Sequence, residues 1–258
     1  MRYEAVTRTD VGIRKKTNQD SAMILSANTD YGPAMLAMIC DGMGGLDKGE
    51  VASATVIQAF AEWFKERLPR LIAKGITVDL IKSEWNNLIL VYNDKLGLYG
   101  DNMGIKLGTT VCGLLIFKDI YYCINVGDSR AYEIGDAVRL LTKDQTFVQR
   151  EIDLGHMTYE EAQRDPQRNV LLQCVGASDI VFPDYYIDKV KPNTCYMLCS
   201  DGFRHVITEE EMYDKLSPSV NTEREVMGDH VRELIELNMQ RKEKDNITSI
   251  LIRTYGEA

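Results

Sequence analysis

The chain has 258 residues, of which 45% are hydrophobic and 27% are charged, so it can bury a large core and is expected to be globular. Its formal net charge of −9 at pH 7 argues against a nucleic-acid-binding protein, because affinity for phosphate backbones comes from clustered Lys and Arg. No apolar run approaches the roughly 20 residues that cross a bilayer, and the first residues lack the apolar core of a signal peptide, so a cytoplasmic protein without a membrane span is expected.

Strand patterns dominate the chain. Nine runs are rich in β-branched, aromatic and apolar residues and are bounded by Gly or Asp, which is typical of strands. They are YEAVTRT, SAMILSA, AMLAMIC, TTVCGLLIF, IYYCINV, AYEI, VFPDYYI, CYMLCS and ITSILIR. After the third run, apolar residues at helical spacing predict one helix from Glu50 to about Leu68 and another from Leu80 to about Leu98.

Three Thr-x-x-Glu pairs have the spacing of a capping box and predict further helix starts. They are Thr158 with Glu161, Thr208 with Glu211, and Thr222 with Glu225. The last two helices are expected to reach about Leu216 and Met239. Because strands come in runs separated by pairs of helices, the sequence predicts an α+β protein with antiparallel sheets covered by helices, in one domain over residues 1–258.

Cysteine and histidine patterns exclude two kinds of site. The six cysteines lie mostly in apolar runs without a CxxC pair, which predicts reduced, buried thiols. None has an arginine six residues later, as the phosphate-binding loop of a cysteine phosphatase requires. The three histidines are far apart and form no HExxH, so there is no zinc signature. Any metal ligands are therefore expected to be carboxylates.

Four aspartates stand where strand patterns begin or end. They are Asp41 in ICDGMGG, Asp128 in INVGDSR, Asp201 in LCSDG and Asp245 in KDNITSILI. Each Asp-Gly pair alone fits a hairpin turn, since Gly adopts positive φ readily. If the strand ends share a sheet edge, however, the carboxylates repel each other unless they are protonated or bridged by cations. Such hard oxygen ligands suit Mg²⁺ or Mn²⁺.

Glycines follow the first of these aspartates. Gly42 can offer its carbonyl to a cation, while Gly44 and Gly45 let the backbone approach a site before the next helix begins. A flexible loop explains the same glycines, and the segment has neither the GK[ST] of a Walker A loop nor the Asp spacing of an EF-hand. The compact basic cluster at residues 14–16 either anchors a phosphate or is a solvated charge run.

Seven segments become recognisable together. They are TDVGIRKKTNQDS, ICDGMGGLDKGEVAS, LGTTVCGLLI, INVGDSRAY, LTKDQTFVQ, LCSDGF and DNITSILI. In this order and spacing they resemble the motifs of the metal-dependent protein phosphatases of type 2C over almost the whole chain. The resemblance implies a sandwich of two antiparallel sheets flanked by helix pairs (α-β-β-α), with a flap at about residues 143–179 beside the active site.

The resemblance also implies an activity and a ligand set. Phosphoserine and phosphothreonine on proteins would be hydrolysed at a centre of two Mn²⁺ or Mg²⁺ ions, whose bridging hydroxide attacks phosphorus. Asp41 would bridge both ions, and the Gly42 carbonyl would bind the second. Asp201 and Asp245 would complete the first ion.

Four further residues receive roles from the resemblance. Asp128 would help to hold a possible third, weaker ion, although a turn residue explains it nearly as well. Asp20 would orient metal-bound water or ligate through it. Asn246 would support the ligands from behind. Lys15 would bind the substrate phosphate.

Three positions depart from the family pattern. Lys15 stands where many members carry an arginine, so a point charge replaces a bidentate fork and looser binding is expected. Met43 stands where eukaryotic members have a histidine proposed as general acid, and Gln19 stands where others have a glutamate at the second metal. Both fit a bacterial type, with the leaving group protonated by metal-bound water.

The expected partners are phosphorylated proteins, chiefly the substrates of a serine/threonine kinase, and the chain is expected to be a monomer. Three alternatives stay open: a silent relative that only binds a partner, a metal-dependent phosphodiesterase or nuclease, and a phosphatase for one regulatory protein. The complete metal positions argue against the first, and the net charge argues against the second. The absence of a fused sensor domain favours a broad phosphatase over the third.

Overall fold

The computed structural model describes residues 2–44 and 48–256 of the chain. This part of the chain forms eleven β-strands. They are β1 (Arg2–Asp10), β2 (Asp20–Thr29), β3 (Gly32–Gly44), β4 (Leu107–Thr109), β5 (Val111–Phe117), β6 (Ile120–Val126), β7 (Arg130–Ile134), β8 (Val138–Leu140), β9 (Asp184–Lys189), β10 (Cys195–Cys199) and β11 (Ile247–Tyr255).

Eight α-helices and one π-helical segment, Trp63–Arg67, complete the described elements. The α-helices are α1 (Gly49–Glu62), α2 (Leu68–Lys74), α3 (Val78–Met103), α4 (Phe147–Asp153), α5 (Tyr159–Arg164), α6 (Asp201–Arg204), α7 (Glu209–Leu216) and α8 (Arg224–Gln240). Among the helices that the structure describes, none combines the length and apolar character needed to span a membrane.

The strands form two antiparallel sheets. One has the order β1-β11-β10-β7-β8. The other has the order β2-β3-β5-β6-β9, and β4 pairs with the end of β3. The predicted α+β class with two antiparallel sheets is therefore confirmed. The extent of a single domain over residues 1–258 stays a prediction.

Period-two alternation along β3 explains how the layers stack. Leu36 and Met38 pack with Trp85 of α3 on one face of the sheet. Ile39 lies on the opposite face and packs with Ile250 of the other sheet. All are fully buried, and removing such a side chain from water contributes roughly 1.5–3 kcal/mol each.

The outer face of the first sheet is covered by α7 and α8. Met227 and Val231 of α8 pack there against Leu251 of β11. The layers therefore run helix, sheet, sheet, helix, as the resemblance implied. The polar residues described below lie near the ends of strands in both sheets.

Two of the three predicted capping boxes are confirmed. Thr158 and Thr208 each accept a hydrogen bond from the backbone N–H three residues later, and the glutamate there accepts one in return. The box at Thr222 is wrong, because α8 begins one residue later, with Glu223 at the N-cap and no side-chain cap. The Thr222 carbonyl instead accepts a hydrogen bond from Tyr255 Oη at 3.2 Å.

The helix predicted from Glu50 to Leu68 is interrupted. After α1 the backbone widens into the π-helical segment, in which the Leu68 N–H donates to the Trp63 carbonyl, and α2 then continues. Pro69 gives the reason, because it has no N–H to donate to Lys65 and its ring would clash with that carbonyl in a regular α-helix.

All six cysteines are buried and free, as the sequence predicted.

Candidate metal centre

Asp20 and Asp41 face each other at the end of the second sheet, because they are paired positions on β2 and β3. The prediction that Asp41 ends its strand is wrong, since β3 continues to Gly44 and pairs there with β4. The Asp41 carbonyl accepts hydrogen bonds from Thr110 N and Thr109 Oγ1, both at 2.9 Å, and the Asp41 N–H donates to Thr110 Oγ1 at 3.0 Å. These bonds hold Asp41 in an extended conformation and exclude a hairpin turn.

Asp201 lies two residues after the end of β10 and is the first residue of α6, with Ser200 at the N-cap, so the hairpin interpretation is wrong here too. Asp245 lies two residues before β11. Gly202 brings these two segments together, because a β-carbon at this position would lie 2.2 Å from the Asn246 carbonyl oxygen and 3.3 Å from Asp245 Cβ. The absent side chain therefore lets Asp201 and Asp245 lie side by side.

The predicted aspartates lie close enough together for four of them to raise the pKa of the fifth, Asp41. Burial raises the pKa of Asp41 well above its ordinary value, and repulsion from four other carboxylates raises it further. In order of effect, these are Asp20, Asp201, Asp128 and Asp245. Every aspartate singled out in the sequence thus acts on Asp41. A partly buried cluster of like charges is stable only when protons or cations offset its charge.

Asp20 is the second strongly perturbed carboxyl. Burial raises its pKa to about 6; the nearby hydroxyls of Thr248 and Ser200 oppose the rise, and repulsion from Asp201 and Asp245 adds to it. Its Oδ2 accepts from Ser200 Oγ at 2.9 Å, while its Oδ1 is buried without a hydrogen-bond partner in the described part of the chain. A buried, unpaired carboxylate oxygen fits a position beside a cation or its water shell.

The donor chemistry of this site therefore fits Mg²⁺ or Mn²⁺, which prefer carboxylate, carbonyl and water oxygens. Within residues 2–44 and 48–256, no three Asp, Glu, His or Cys side chains are grouped closely enough to form a complete ligand set by themselves. Magnesium commonly keeps several waters and few protein ligands. The assignment of individual ligands stays a prediction.

Gly42 lies where the β3 backbone passes α1. Its N–H donates to the Gln19 carbonyl at 3.1 Å, and a β-carbon at Gly42 would lie 2.2 Å from the Gly49 carbonyl oxygen. Only glycine permits this approach. Gly44 is the last residue of β3, whereas Gly45, for which a similar role was predicted, lies outside the described residues.

Lys15 is the member of the basic cluster at residues 14–16 that reaches the aspartates. Its Nζ lies 2.8 Å from Asp245 Oδ1. Burial lowers the pKa of Lys15, but the hydrogen bond that Lys15 donates to Asp245 and the attraction of Asp245, Asp41 and Asp201 outweigh burial and raise the pKa overall. Arg14 and Lys16 are exposed, so the solvated interpretation holds for them.

Asn246 fixes the segment that carries Lys15. Its Nδ2 donates to the Val11 and Thr17 carbonyls at 2.9 and 3.2 Å, and its Oδ1 accepts from the Gln19 N–H at 2.9 Å. One side chain thus joins both ends of the loop between β1 and β2 to the start of β11. This arrangement suits the predicted supporting role.

Asp128 lies against a residue that the sequence analysis missed. Arg204 Nη2 is 3.4 Å from Asp128 Oδ2 and 3.1 Å from the Asp128 carbonyl oxygen. The same guanidinium is 3.3 Å from Asp144, which also accepts two hydrogen bonds of 2.8 Å from Arg130. Burial raises the pKa of Asp128 to about 7 and Asp201 adds to the rise, while Arg204 opposes it.

His205 is a second missed residue. Its Nε2 lies 3.4 Å from Asp201 Oδ2, and its Nδ1 lies 3.3 Å from Glu243 Oε2. Burial lowers the pKa of His205, but the hydrogen bond with Glu243 and attraction to Asp201 outweigh it and raise the pKa. The signal was present in SDGFRH, where position 205 follows Asp201 by one helical turn, but the contact with Glu243 depends on tertiary structure.

Comparison with known proteins identifies similar chains. A family model described as Protein phosphatase 2C matches residues 13–237. The serine/threonine phosphatase stp of Listeria welshimeri is 32% identical over 213 residues, which are 81% of each chain. The match of the family model stops before Asp245, but likeness to solved structures extends over the whole chain.

Two solved structures illustrate this likeness. The crystal structure of a bacterial serine phosphatase superposes with a TM-score of 0.84 at 30% identity and covers 100% of both chains. The catalytic domain of the serine/threonine protein phosphatase PstP, in complex with two manganese ions, has a TM-score of 0.79 at 25% identity and covers 98% of this chain and 99% of that one.

Proposed function

This chain belongs to the protein phosphatase 2C family and is a serine/threonine protein phosphatase of bacterial type, and on that premise we propose that its aspartate cluster is a centre of two Mn²⁺ or Mg²⁺ ions at which phosphoserine and phosphothreonine are hydrolysed. The manganese ions of the PstP structure support the choice of metal.

The observation that carries the proposal is the environment of Asp41. Asp41 is half-buried, and four other carboxylates near it all raise its pKa. Bringing like charges together away from water is strongly unfavourable unless protons or cations offset them. Asp41, Asp201 and Asp245 are accordingly assigned to the ions, and the Gly42 carbonyl is assigned to the second ion.

When bound, the two ions supply a water activated for in-line attack on phosphorus and positive charge that stabilises the transition state. Lys15 adds a fixed ammonium group beside Asp245, where it binds the phosphate oxygens of the substrate. Asn246 holds the Lys15 segment in place through the three hydrogen bonds described above. Asp20 orients water through its free Oδ1.

We assign a possible third ion to Asp128. The guanidinium of Arg204 already places a positive charge 3.4 Å from Asp128 Oδ2. Any cation at this carboxylate competes with that group, so the third ion is expected to bind more weakly than the other two.

The proposed substrates are phosphoproteins made by a serine/threonine kinase. We place the enzyme in the cytoplasm, because six free, buried cysteines suit a reducing compartment. We propose a monomer, because one chain supplies every residue of the site. The net charge of −9 counts against a nucleic-acid substrate.

The proposal is tested by phosphate release from a phosphothreonine peptide with Mn²⁺, with EDTA, and with the variant Asp201→Asn. Turnover is expected with Mn²⁺ and is expected to fall at least about 100-fold in the other two samples, because charge stabilisation by the ions is lost. Asp214→Asn is the matched control, since this aspartate is exposed on α7. Folded protein that releases no phosphate from several peptides with Mn²⁺ present would contradict the proposal.

A further inference from the structure

A groove of about 550 Å³ opens beside Lys15 and Asp245 and extends away from the aspartate cluster. One wall is formed by α4, α5 and the segment that follows, which belong to the flap. The opposite wall is formed by α6 and the turn between α8 and β11. We call this cavity the flap groove. Its position means that a peptide held at the candidate centre has room to continue into it.

The flap groove is lined by six Lys or Arg side chains and by three carboxylates. Each of these carboxylates already has a cationic or imidazole partner. Asp144 lies against Arg130 and Arg204, Glu243 lies against His205, and Asp245 lies against Lys15. The lining therefore carries an excess of positive charge, although the whole chain has a net charge of −9.

Three lining cations account for the excess. Arg168, Lys242 and Lys244 are exposed and form no ion pair with any side chain in residues 2–44 and 48–256. Arg168 donates a hydrogen bond to the Gln163 carbonyl at 3.4 Å, and because this acceptor is neutral it does not balance the charge of Arg168. Cations on both walls thus face one space.

Lys242 adds a backbone observation. Its φ is +66°, in the left-handed region that favours glycine, directly after the C-cap of α8. A residue with a β-carbon is disfavoured there by about 1 kcal/mol. The sequence nevertheless places a long cationic side chain at the groove, where glycine would be the more stable choice.

We propose that the flap groove binds acidic residues that flank the phosphorylated residue of the substrate protein, so that the enzyme prefers phosphoproteins with Asp or Glu near the phosphate. This inference rests on the proposed function and specifies its substrate class. Charge complementarity is the argument: cations at the rim of a binding site attract and select anionic partners and repel cationic ones.

The test compares kcat/KM for two phosphothreonine peptides that differ only in having Glu or Gln at the second and third positions on both sides of the phosphate. The wild-type enzyme is expected to prefer the Glu peptide by about fivefold, as several exposed ion pairs together provide. The ratio is expected to approach one at about 1 M NaCl, because salt screens exposed charges.

The double variant Lys242→Glu/Lys244→Glu is expected to remove or invert this preference. Arg70→Glu/Lys74→Glu is the matched control, because it makes the same change of charge at exposed positions of α2, outside the groove lining. The control is expected to keep the wild-type ratio. Arg168→Gln provides a second test from the flap wall, and it is expected to lower the ratio by about twofold.

The outcomes separate this inference from the proposed function. If no peptide is hydrolysed, the proposed function fails. If both peptides are hydrolysed with equal kcat/KM by the wild type, the enzyme is a phosphatase but the flap groove does not select acidic residues. A preference that survives in both groove variants, or that is lost equally in the α2 control, would assign the selection to another surface or to net charge.

Discussion

At the scale of single residues, Lys15 contacts Asp245 and is still accessible to a substrate. Its ammonium group is bound to Asp245, and its side chain is still 41% exposed, so it can also face a substrate. A lysine offers one compact charge, whereas an arginine offers a planar fork that matches phosphate oxygens in pairs. If Lys15 binds the substrate phosphate as proposed, a lysine in place of the family's arginine is expected to weaken phosphate binding without abolishing the attraction.

We expect Lys15→Gln to lower kcat/KM for a phosphothreonine peptide by about tenfold to 100-fold, mainly through a higher KM, because a charge-assisted contact to phosphate is lost. Lys15→Arg is expected to keep most of the activity. The measurement is steady-state hydrolysis at saturating Mn²⁺, with Lys16→Gln as the control for an exposed neighbour. An unchanged KM in Lys15→Gln would show that another group binds the phosphate.

Close backbone packing at single glycines positions the elements that carry the aspartates. Gly42 lies against the first residue of α1, and Gly202 in α6 lies against the residues before β11. Both contacts require the absence of a β-carbon, so no other residue can replace either glycine without moving the backbone. The separation of these backbones sets the spacing of the aspartates.

Gly202→Ala is expected to destabilise the protein by about 1–3 kcal/mol, because the new β-carbon would meet a backbone oxygen at 2.2 Å and the segments must separate. The variant is also expected to bind Mn²⁺ more weakly. Gly97→Ala is the control, since its β-carbon would have no such contact closer than 3.7 Å, and it is expected to stabilise α3 by about 0.5–1 kcal/mol. Urea unfolding measures both, and equal stabilities would contradict this account of the packing.

The sequence predicted correctly those helix starts and strands that depend on residues close together in the chain. The boxes at Thr158 and Thr208 and the alternation in β3 are examples, since caps and pleats depend on neighbouring residues. The run VFPDYYI was expected to be a strand from its first residue, but β9 begins at Asp184, directly after Pro183, which cannot donate to a ladder. The short β8 was missed because three residues give too little pattern.

Site residues could be predicted only as far as motifs reach. The sequence analysis selected the aspartates as candidate ligands because they stand in recognisable segments, and it selected Lys15 because it lies beside one of those segments. Arg204 and His205 were missed because their partners, Asp144 and Glu243, are distant in sequence and are brought close by the fold. No periodicity in the chain encodes those contacts.

At the scale of the whole molecule, negative charge is concentrated around Asp41, and positive charge lines the neighbouring flap groove. Four carboxylates lie near enough to Asp41 to raise its pKa, and Asp245, one of the four, also lines the flap groove with its cations. This arrangement makes the stability of the protein depend on both pH and metal.

In EDTA, Asp128 is expected to make stability fall as pH rises. Its pKa is raised from an ordinary 3.8 to about 7, so its contribution is fully present below about pH 3.8 and is lost as pH rises through 7. Asp128→Asn should therefore gain stability relative to wild type between pH 5 and pH 8. The measurement is urea unfolding at several pH values, and a difference that stays constant with pH would contradict the burial of this charge.

Mn²⁺ binding by chelator-treated protein tests the central claim most directly. Titration calorimetry at pH 7.5 is expected to show two ions bound per wild-type chain, with a weaker third at most, and no tight binding to Asp41→Asn, because that carboxylate is assigned to both ions. Asp214→Asn is expected to match the wild type. If Asp41→Asn still bound two ions with unchanged affinity, Asp41 would not be the residue that joins them, and the proposed two-ion centre would be contradicted.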